Sequence, residues 1–453
     1  MKVLFINHLP GLAGAERVLL DLLIEFQKKY KMTFRVVVPA KGDFSSALEK
    51  LSIEYVVIPY GWWAGSLHDY ERESPATYEI NQKAVWDIKK EIESYKPDLV
   101  YSNTMVNPWG AFACAMTGTK HIWGIHEFGE RDHRLVFHLG LPLTLKLIDA
   151  FSDAVITNSL AVKRSVENYI SPEKLHQYYY SMEVTRVHPN SKEHFFDKPN
   201  ALKLLTLGTI LPSKGQLDVV KALALLQNRD IQLAIVGAPS DEKYLEKIRH
   251  YIARYKLKNK VIIHQFTQNP MQAILQSDMF ILSSYCEAFG RVVLENMLLG
   301  KMVIGTNTGG TPEMIITGKT GFLYTPGDVK QLANLIAYCD DNRAKIAQFG
   351  KNAQYWVKTT FTKQRYYGNI YKTFCQVIES PPQSRKPESF FELLAMGVLE
   401  TRKKRKSRDK VMEKIHQLNN ELHMLQASGV ISTGVANKMR KELREITSDL
   451  LVD

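Results

Sequence analysis

The sequence predicts an α/β protein in which two doubly wound, Rossmann-like domains face a common cleft, with a helical hairpin as a C-terminal extension. Short apolar runs alternate with longer amphipathic segments, which is the pattern of parallel strands covered by helices on both faces. This alternation restarts near residue 200, and both halves begin with the same strand–loop–helix arrangement. A chain of 453 residues is long enough for two or three domains.

Eleven apolar runs are the expected strands. Their almost continuous apolar character suits strands that are buried on both faces of a sheet. In the first half they are residues 3–6, 34–39, 55–59, 98–102, 121–125 and 154–157, and in the second half residues 204–207, 233–236, 261–264, 279–282 and 302–305.

Both halves open with a strand, a glycine-containing loop and a helix rich in Val and Leu. The first opening reads VLFINHLPGLAGAERVLLDLL and the second reads LLTLGTILPSKGQLDVVKALALL. A helix N-terminus after such a loop presents free N–H groups and a positive dipole end, which suits a phosphate. Because ligands of doubly wound sheets bind beyond the carboxyl ends of strands, we expect both loops to line one cleft. Neither loop contains GxGxxG or GxxxxGK(S/T), which disfavours oxidoreductases and P-loop NTPases.

The pattern divides the chain into four parts. Residues 1–185 and 186–362 are the expected domains, since the segment 181–200 between them is polar and poorly periodic. Residues 363–380 form an expected crossover helix that packs back on the first domain. Residues 381–453 form a basic linker and a helical hairpin.

Heptad spacing predicts the hairpin. Apolar residues recur at alternating intervals of four and three and resume after the turn-like ASGVISTG: Val411, Ile415, Leu418, Leu422 and Leu425, then Met439, Leu443, Ile446 and Leu450. A hairpin of this size is not stable alone. We therefore expect residues 411–453 to pack on the body, to self-associate or to bind a partner protein.

The net charge of +12 is partly local, because the run RKKRKSRDK at residues 402–410 is almost entirely basic. This run is either a solvated helix face or a segment attracted to an anionic membrane. It has no accompanying aromatic platform, so no nucleic-acid partner is expected.

Cysteine usage and apolar runs bear on the compartment. The four cysteines are scattered and form no CxxC pair, which is typical of a reduced compartment. The N-terminal segment lacks the features of a signal peptide, and no run approaches the roughly 20 apolar residues of a transmembrane helix. We expect a cytoplasmic protein, with a peripheral position on the inner face of the cell membrane as the alternative.

The segment CEAFGRVVLENMLLGKMVIGTNTGGTPEM, residues 286–314, carries the most chemical information. Glu287 is expected in a loop, and Glu295 one to two turns into a helix over residues 291–299. Eight helical residues rise about 12 Å, so we expect the two carboxylates to hold different parts of one elongated ligand. Carboxylates accept hydrogen bonds from paired hydroxyls, as in a sugar and a ribose. Retaining hydrolases place two carboxyls only about 5 Å apart, which argues against a hydrolase.

Glu287 and Glu295 match the E-x7-E motif of retaining glycosyltransferases, and the flanking EAFG, ENM, GK and GGTPEM extend the match. The sequence resembles glycosyltransferase family 4, which has the GT-B fold, from Met1 to about residue 378. The resemblance implies that Glu287 contacts hydroxyls of the donor sugar and that Glu295 contacts the ribose. It places the backbone of Phe289 and Gly290 against the donor. It also assigns the acceptor to the first domain and the nucleotide-sugar donor to the second.

Further matches extend the implied site. GLAGAERV resembles the family's glycine-rich first loop, so amides near Gly14 are expected to approach the donor phosphates or the acceptor. Lys214 matches the lysine expected on the diphosphate, where its charge stabilises the leaving group. His126, in WGIHEFGE, falls where the family places a His or Arg at the cleft; the alternative is a structural histidine. The turn that begins with Thr308 and Gly309 matches a loop that faces the donor's base or phosphates.

Thr209 departs from the family pattern. The family commonly has Arg after the first glycine of the loop, in GR-x-x-x-x-KG, whereas this sequence reads GTILPSKG. A hydroxyl can hydrogen-bond a phosphate but does not neutralise it. Either Lys214 suffices, or another cation such as Arg17 or Arg291 helps, or turnover is slow, so the departure bears on donor affinity.

The resemblance implies a retaining, metal-independent transferase that moves a sugar from a nucleotide-sugar, with UDP expected, to a glycan or lipid-linked acceptor in polysaccharide or glycoconjugate synthesis. No cofactor is expected. Basic and apolar residues interleave over residues 133–146, which suits either a membrane surface or an amphipathic helix on the sheet. The alternatives are a non-catalytic subunit that binds a partner glycosyltransferase, and an epimerase on the same fold.

Overall fold

In this computed structural model, the structure describes residues 1–65, 75–183, 193–265, 267 and 269–381. The predicted basic run and the predicted hairpin lie outside these residues. Within the described chain, residues 1–136 and 145–381 belong to one compact unit and residues 137–144 to a second.

The first half of the described chain forms nine strands and seven helices. The strands are β1 (Lys2–Ile6), β2 (Thr33–Val38), β3 (Tyr55–Val57), β4 (Ala64–Gly65), β5 (Leu99–Asn103), β6 (Lys120–Ile125), β7 (Val136–Phe137), β8 (Ala154–Thr157) and β9 (Leu175–Gln177). The helices are α1 (Gly14–Lys29), α2 (Asp43–Lys50), α3 (Pro75–Tyr95), α4 (Trp109–Thr117), α5 (Glu130–His133), α6 (Leu141–Phe151) and α7 (Leu160–Val166).

Seven of these strands form a parallel sheet in the order β3-β2-β1-β5-β6-β8-β9. Four of the five residues of β1 are buried, as a strand with helices on both faces requires. The direction of strand order reverses between β1 and β5. Such a reversal opens a crevice at the carboxyl ends of the two strands, which is where ligands of doubly wound sheets bind.

The second half repeats this design. Its strands are β10 (Leu202–Leu207), β11 (Ile231–Val236), β12 (Val261–His264), β13 (Met279–Leu282), β14 (Met302–Thr306) and β15 (Gly321–Tyr324). Its helices are α8 (Gln216–Ala224), α9 (Glu242–Arg254), α10 (Pro270–Gln276), α11 (Arg291–Leu298), α12 (Val329–Asp341) and α13 (Arg343–Thr360), and α14 (Lys363–Glu379) follows them. The parallel sheet has the order β12-β11-β10-β13-β14-β15, so its order reverses between β10 and β13.

The predicted fold class is confirmed, and each of the eleven predicted strands is present within two residues of its predicted ends. Four strands were not predicted. β9 and β15 lie at the edges of their sheets and are only three and four residues long. The short strands β4 and β7 have two residues each. The two-residue strands β4 and β7 are too short to show a period, and β9, with the sequence LHQ, is mostly polar. Neither length nor apolar character separates β15, GFLY, from the four-residue strands that were predicted.

Helix α14 returns the chain to the first half of the molecule. The ring of Phe374 lies 6.4 Å from that of Phe5 and 5.7 Å from that of Phe26, measured between centroids. The ring of Tyr371 stacks on that of Tyr30 at 4.2 Å. Among the described helices, none has both the length and the apolar character needed to cross a bilayer.

Phe374 tests this packing because its side chain is fully buried. We expect Phe374→Ala to lower the free energy of unfolding by about 3–5 kcal/mol, since it removes a large ring and leaves a cavity. Urea unfolding of the full chain measures the loss. Tyr355→Ala is the matched control, because that ring is 72% exposed and its removal should cost at most about 0.5 kcal/mol. Equal effects of the two substitutions would show that α14 is not held by this core.

Candidate active site

Lys214 lies at the crevice of the second sheet, where the loop that follows β10 packs closely against the loop that follows β13. It ends the short 3₁₀ helix Pro212–Lys214, and the next residue, Gly215, has a φ of +66°. A Cβ at Gly215 would lie 2.1 Å from the carbonyl oxygen of Ser283, so both the backbone angle and the space require glycine. Ser283 follows β13 and donates a hydrogen bond from Oγ to the Lys214 carbonyl at 2.7 Å. The lysine is therefore fixed beside the end of β13.

Lys214 and Glu287 form an ion pair at this position. The distance between Lys214 Nζ and Glu287 Oε2 is 2.8 Å, and the two side chains are 31% and 19% exposed. Burial disfavours both charges, but the attraction and the hydrogen bond between them outweigh it. The pKa of Lys214 is raised and the pKa of Glu287 is lowered as a result. Both groups are charged at neutral pH and partly accessible to a ligand.

The loop of Glu287 rests on the predicted glycine turn after β14. The N–H of Gly310 donates to the carbonyl oxygen of Glu287 at 2.8 Å. A Cβ at Gly309, which has a φ of +56°, would lie 2.2 Å from the same oxygen, and one at Gly310 would lie 2.2 Å from the carbonyl oxygen of Ala288. Thr308 is half-buried beside them. The turn therefore supports the backbone that presents Glu287.

Glu295 lies in the second turn of α11, as predicted, and is half-buried. Burial raises its pKa, while the positive charges of Arg291 and Arg17 oppose the increase. Within the described residues its carboxylate has no hydrogen bond or ion pair to the protein. It is a carboxylate available to a ligand.

Thr209 is exposed, and its carbonyl accepts a hydrogen bond from Gln216 Nε2 at 2.9 Å. Arg291, one of the cations suggested in place of the missing arginine, forms an ion pair with Asp21 of α1. The distance between Arg291 Nη1 and Asp21 Oδ2 is 3.4 Å. No local sequence pattern predicts this pair, because its members are 270 positions apart. Lys214, by contrast, lines the cavity at the ends of β10 and β13.

The N-terminus of α1 lies at the other crevice. Gly14 is exposed, and the preceding residue, Ala13, provides no side-chain cap for the first N–H groups. Arg17 is exposed and donates from Nε to the Leu12 carbonyl at 3.2 Å. This end of the helix can therefore receive an anion or a hydroxyl.

His126 is held on both sides of its ring. Asn158 Nδ2 donates a hydrogen bond to Tyr180 Oη at 3.2 Å. Because Tyr180 Oη is the acceptor of that bond, its own hydroxyl proton can be donated to His126 Nδ1, which lies 2.5 Å away. His126 Nε2 then donates to Asn103 Oδ1 at 2.8 Å. Burial, with a contribution from His8, lowers the pKa of His126 to about 3. The imidazole is neutral and fully bonded, so it orients its neighbours without a free nitrogen for a ligand.

Phe289 connects this network to the Glu287 loop. Its side chain is buried, stacks on Tyr179 at 5.7 Å and meets Tyr180 edge-on at 5.3 Å. Gly290, which follows it, would place a Cβ 3.3 Å from Glu287 Cγ. The ring of Phe289 thus joins the loop of the second domain to the residues that hold His126.

Glu313, in the segment GGTPEM, was not predicted as a functional residue. Its Oε2 accepts a hydrogen bond from the N–H of Leu160 at 2.8 Å, and its Oε1 accepts one from Ala161 at 2.7 Å. Leu160 and Ala161 are the first residues of α7, so their N–H groups have no acceptor within the helix. The N–H of Val162 is capped by Ser159 Oγ. The contact links the two halves across 153 positions, a separation that no local pattern can reveal.

A small cavity lies at the ends of β10 and β13 and includes Lys214, Gly208 and Ser284 in its lining. A second cavity surrounds Arg35, which is already neutralised by Glu54 and Glu91, so it offers no free charge to a phosphate. No cluster of three or more metal-ligating side chains occurs in the described part of the chain.

The two doubly wound parallel sheets, each with one reversal of strand order, are those of a GT-B protein. A family model described as Glycosyltransferase Family 4 matches residues 12–179, and one described as Glycosyl transferases group 1 matches residues 169–356. The sequence is that of a family 4-like glycosyltransferase.

Relatives and solved structures agree with this assignment. The chain is 30% identical over 171 residues to the D-inositol 3-phosphate glycosyltransferase of Arthrobacter sp. (strain FB24), covering 36% of this chain and 40% of that protein. It is 24% identical over 178 residues to the capsular polysaccharide biosynthesis glycosyltransferase CapM of Staphylococcus aureus, covering 38% and 46%. The chain thus spans less than half the length of these relatives. The crystal structure of Anabaena Alr3699/HepE in complex with UDP and glucose superposes with a TM-score of 0.68 at 25% identity, covering 83% of this chain and 100% of that chain.

Glu313 provides a test of the contact between the two halves. We expect Glu313→Ala to lower the free energy of unfolding by about 0.5–2 kcal/mol, because the N–H groups of Leu160 and Ala161 at the start of α7 lose a charged acceptor. Hydrogen exchange at Leu160 and Ala161 should accelerate in the same variant. Glu246→Ala removes an exposed glutamate paired one turn along its own helix and should change stability by at most about 0.5 kcal/mol. Unchanged exchange at both amides would contradict the capping role.

Proposed function

We propose that this protein transfers a sugar from a nucleotide-sugar donor, a UDP-sugar, to a hydroxyl of a glycan or lipid-linked acceptor in cell-surface polysaccharide or glycoconjugate synthesis. The observation that carries the proposal is the 2.8 Å pair of Lys214 and Glu287 at the carboxyl ends of β10 and β13. An ammonium suited to a diphosphate lies directly beside a carboxylate suited to sugar hydroxyls.

In this proposal the donor extends along the crevice of the second sheet. Lys214 faces the diphosphate and stabilises the charge that develops as the glycosidic bond breaks. Glu287 accepts hydrogen bonds from hydroxyls of the transferred sugar. Glu295, which has no protein partner within the described residues, accepts those of the ribose. Gly14 and the N-terminus of α1 approach the phosphates or the acceptor from the first domain.

The proposed transfer retains the anomeric configuration and needs no metal. The acceptor oxygen forms a bond to the anomeric carbon on the face from which the diphosphate departs. The diphosphate oxygen that leaves the anomeric carbon takes the proton of the acceptor hydroxyl. Lys214 supplies positive charge at the leaving group. His126 supports this scheme as an orienting group, since its two nitrogens are bonded to Tyr180 and Asn103.

Two similarities support the substrate classes. The Anabaena structure contains UDP and glucose, and CapM is named for capsular polysaccharide biosynthesis. A carrier lipid or surface glycan as acceptor would place the protein in the cytoplasm against the inner face of the membrane. The basic run of residues 402–410 supplies positive charge for such a surface.

Glu287 is the residue whose substitution tests the proposal. Calorimetry with UDP-, GDP- and ADP-sugars, with and without EDTA, should identify one donor that binds independently of metal. With that donor, Glu287→Gln should lower the transfer rate about 10²- to 10³-fold, because the neutral amide is a weaker acceptor for the sugar hydroxyls. Glu246→Gln, at an exposed position, is the control, and the anomeric configuration of the product is read by NMR.

Near-normal transfer by Glu287→Gln would remove the role proposed for this residue. Binding of no donor at all would favour the second candidate, a transferase-like subunit that serves a partner enzyme. Thr209 motivates that candidate, because the loop lacks the arginine that the family commonly places there.

Membrane attraction has its own test. We expect the full chain to co-sediment with vesicles that contain anionic lipid at low salt and to be released as salt rises, since screening weakens attraction between the basic run and the surface. Replacing Lys403, Lys404 and Lys406 by Gln should abolish co-sedimentation. The same replacement at exposed Lys83, Lys90 and Lys358 is the charge-matched control. Binding that is insensitive to both replacements would contradict the proposal.

A further inference from the structure

A second cluster of polar and aromatic side chains lies at the reversal point of the first sheet. We infer that His8, Glu16 and Trp62 form a subsite for a neutral carbohydrate ring of the acceptor. The inference rests on the proposed function in assigning the ring to the acceptor, but binding of the ring can be measured without any donor.

His8 and Glu16 are a buried pair without an aligned hydrogen bond. His8 follows β1, and Glu16 lies in the first turn of α1. The distance between His8 Nδ1 and Glu16 Oε1 is 2.8 Å, while the side chains are 9% and 0% exposed. Nevertheless, Nδ1 and both carboxylate oxygens lack a hydrogen bond of good geometry within the described chain. Leaving such groups unsatisfied is costly, so their retention requires an explanation.

A ligand hydroxyl would supply the missing alignment. His8 Nε2 has no hydrogen-bond partner within the described residues. A hydroxyl that donates to Nε2 fixes the tautomer with its proton on Nδ1 and requires only a small rotation of the ring to direct that proton at Glu16. Hydrogen bonds at functional sites are often poorly aligned without a ligand and tighten when it binds. Glu16 is then a positioning residue, and His8 touches the ligand.

Trp62 gives the subsite an aromatic wall. Its ring centroid lies 5.6 Å from that of His8 with an angle of 30° between the planes, and the side chain is half-buried. Its Nε1 donates to the His8 carbonyl at 3.0 Å. The loop on either side is fixed, because Gly61 N–H donates to Asn81 Oδ1 at 2.8 Å and Trp63 Nε1 donates to Met105 O at 2.7 Å. The wall is therefore pre-organised, which reduces the entropic cost of binding.

An apolar wall beside an imidazole acceptor suits the chemistry of a sugar. A pyranose ring presents an apolar C–H face and a rim of hydroxyls, so it can pack on Trp62 while one hydroxyl meets His8. An anionic group is a poorer match, because the carboxylate of Glu16 would repel it. A neutral sugar ring can contact the ring of Trp62 with its C–H face and the imidazole of His8 with a hydroxyl.

The subsite is connected to the proposed transfer site. Asn7, next to His8, accepts a hydrogen bond on Oδ1 from Asn103 Nδ2 at 3.1 Å. Asn103 in turn accepts from His126, which leads through Tyr180 to the ring of Phe289. A ring held at His8 therefore lies at the end of a continuous chain of contacts that begins in the donor loop.

Saturation-transfer NMR on the full chain tests the subsite without a donor. The probes are the methyl α- and β-glycosides of glucose, galactose and N-acetylglucosamine, with glycerol as an acyclic polyol and glycerol 3-phosphate as an anion. We expect at least one glycoside to bind with millimolar affinity, and glycerol and glycerol 3-phosphate not to bind. Trp62→Phe and His8→Ala should each weaken binding about tenfold or more, whereas Trp86→Phe and His250→Ala, at exposed positions, should not.

Glu16→Gln separates a positioning role from a structural one. With an active donor, it should raise the KM for the glycoside severalfold, by a larger factor than that by which it lowers kcat. Equal glycoside binding by wild type, His8→Ala and Trp62→Phe would overturn the inference, as would equal binding of glycerol. If donors fail to bind but glycosides bind through Trp62, the proposed transfer fails and the subsite stands. If donors bind and no glycoside does, the subsite alone fails.

Discussion

The backbone contact between the glycine turn at 308–310 and the loop of Glu287 is the constraint on which the rest of the site depends. Strands β10, β13 and β14 are neighbours in one parallel sheet, so the loops after them compete for the same space. Gly215, Gly309 and Gly310 resolve the competition, because each lets one loop approach another where a Cβ would lie 2.1 or 2.2 Å from a carbonyl oxygen. The 2.8 Å distance between Lys214 and Glu287 follows from that packing.

The same loops also join the two halves of the molecule. Phe289 packs on Tyr179 and Tyr180 beyond the Glu287 loop, and Glu313 bonds the start of α7 beyond the glycine turn. Residues that shape the crevice of the second sheet therefore also form the contact with the first domain. Any movement that separates the halves must break these contacts, so the geometry of this crevice and the distance to the other domain are physically coupled.

Local patterns explain what could be predicted. The strands, the helix of Glu295 and the loops of Lys214 and Glu287 are specified by apolar period, by glycine and by short motifs. Long-range partners have no such signal: Asp21 meets Arg291 and Glu313 meets Leu160 only because distant elements fold together. For the same reason the family resemblance implies a cleft position for His126, but the sequence does not reveal that Asn103 at the end of β5 and Tyr180 beyond β9 occupy both ring nitrogens.

Charge balance shows why the pair matters more than either residue. Thr209 adds no charge, Arg291 pairs with Asp21, and the positive charge of Lys214 is already neutralised by Glu287. A diphosphate alone would have to compete with that carboxylate for the ammonium. In the proposed function, the hydroxyls of a nucleotide-sugar donate to Glu287 and satisfy it, which leaves the charge of Lys214 to the phosphates. The pair would then couple recognition of the sugar to recognition of the diphosphate, and the proposal therefore favours the intact donor over a free diphosphate as the ligand of the crevice.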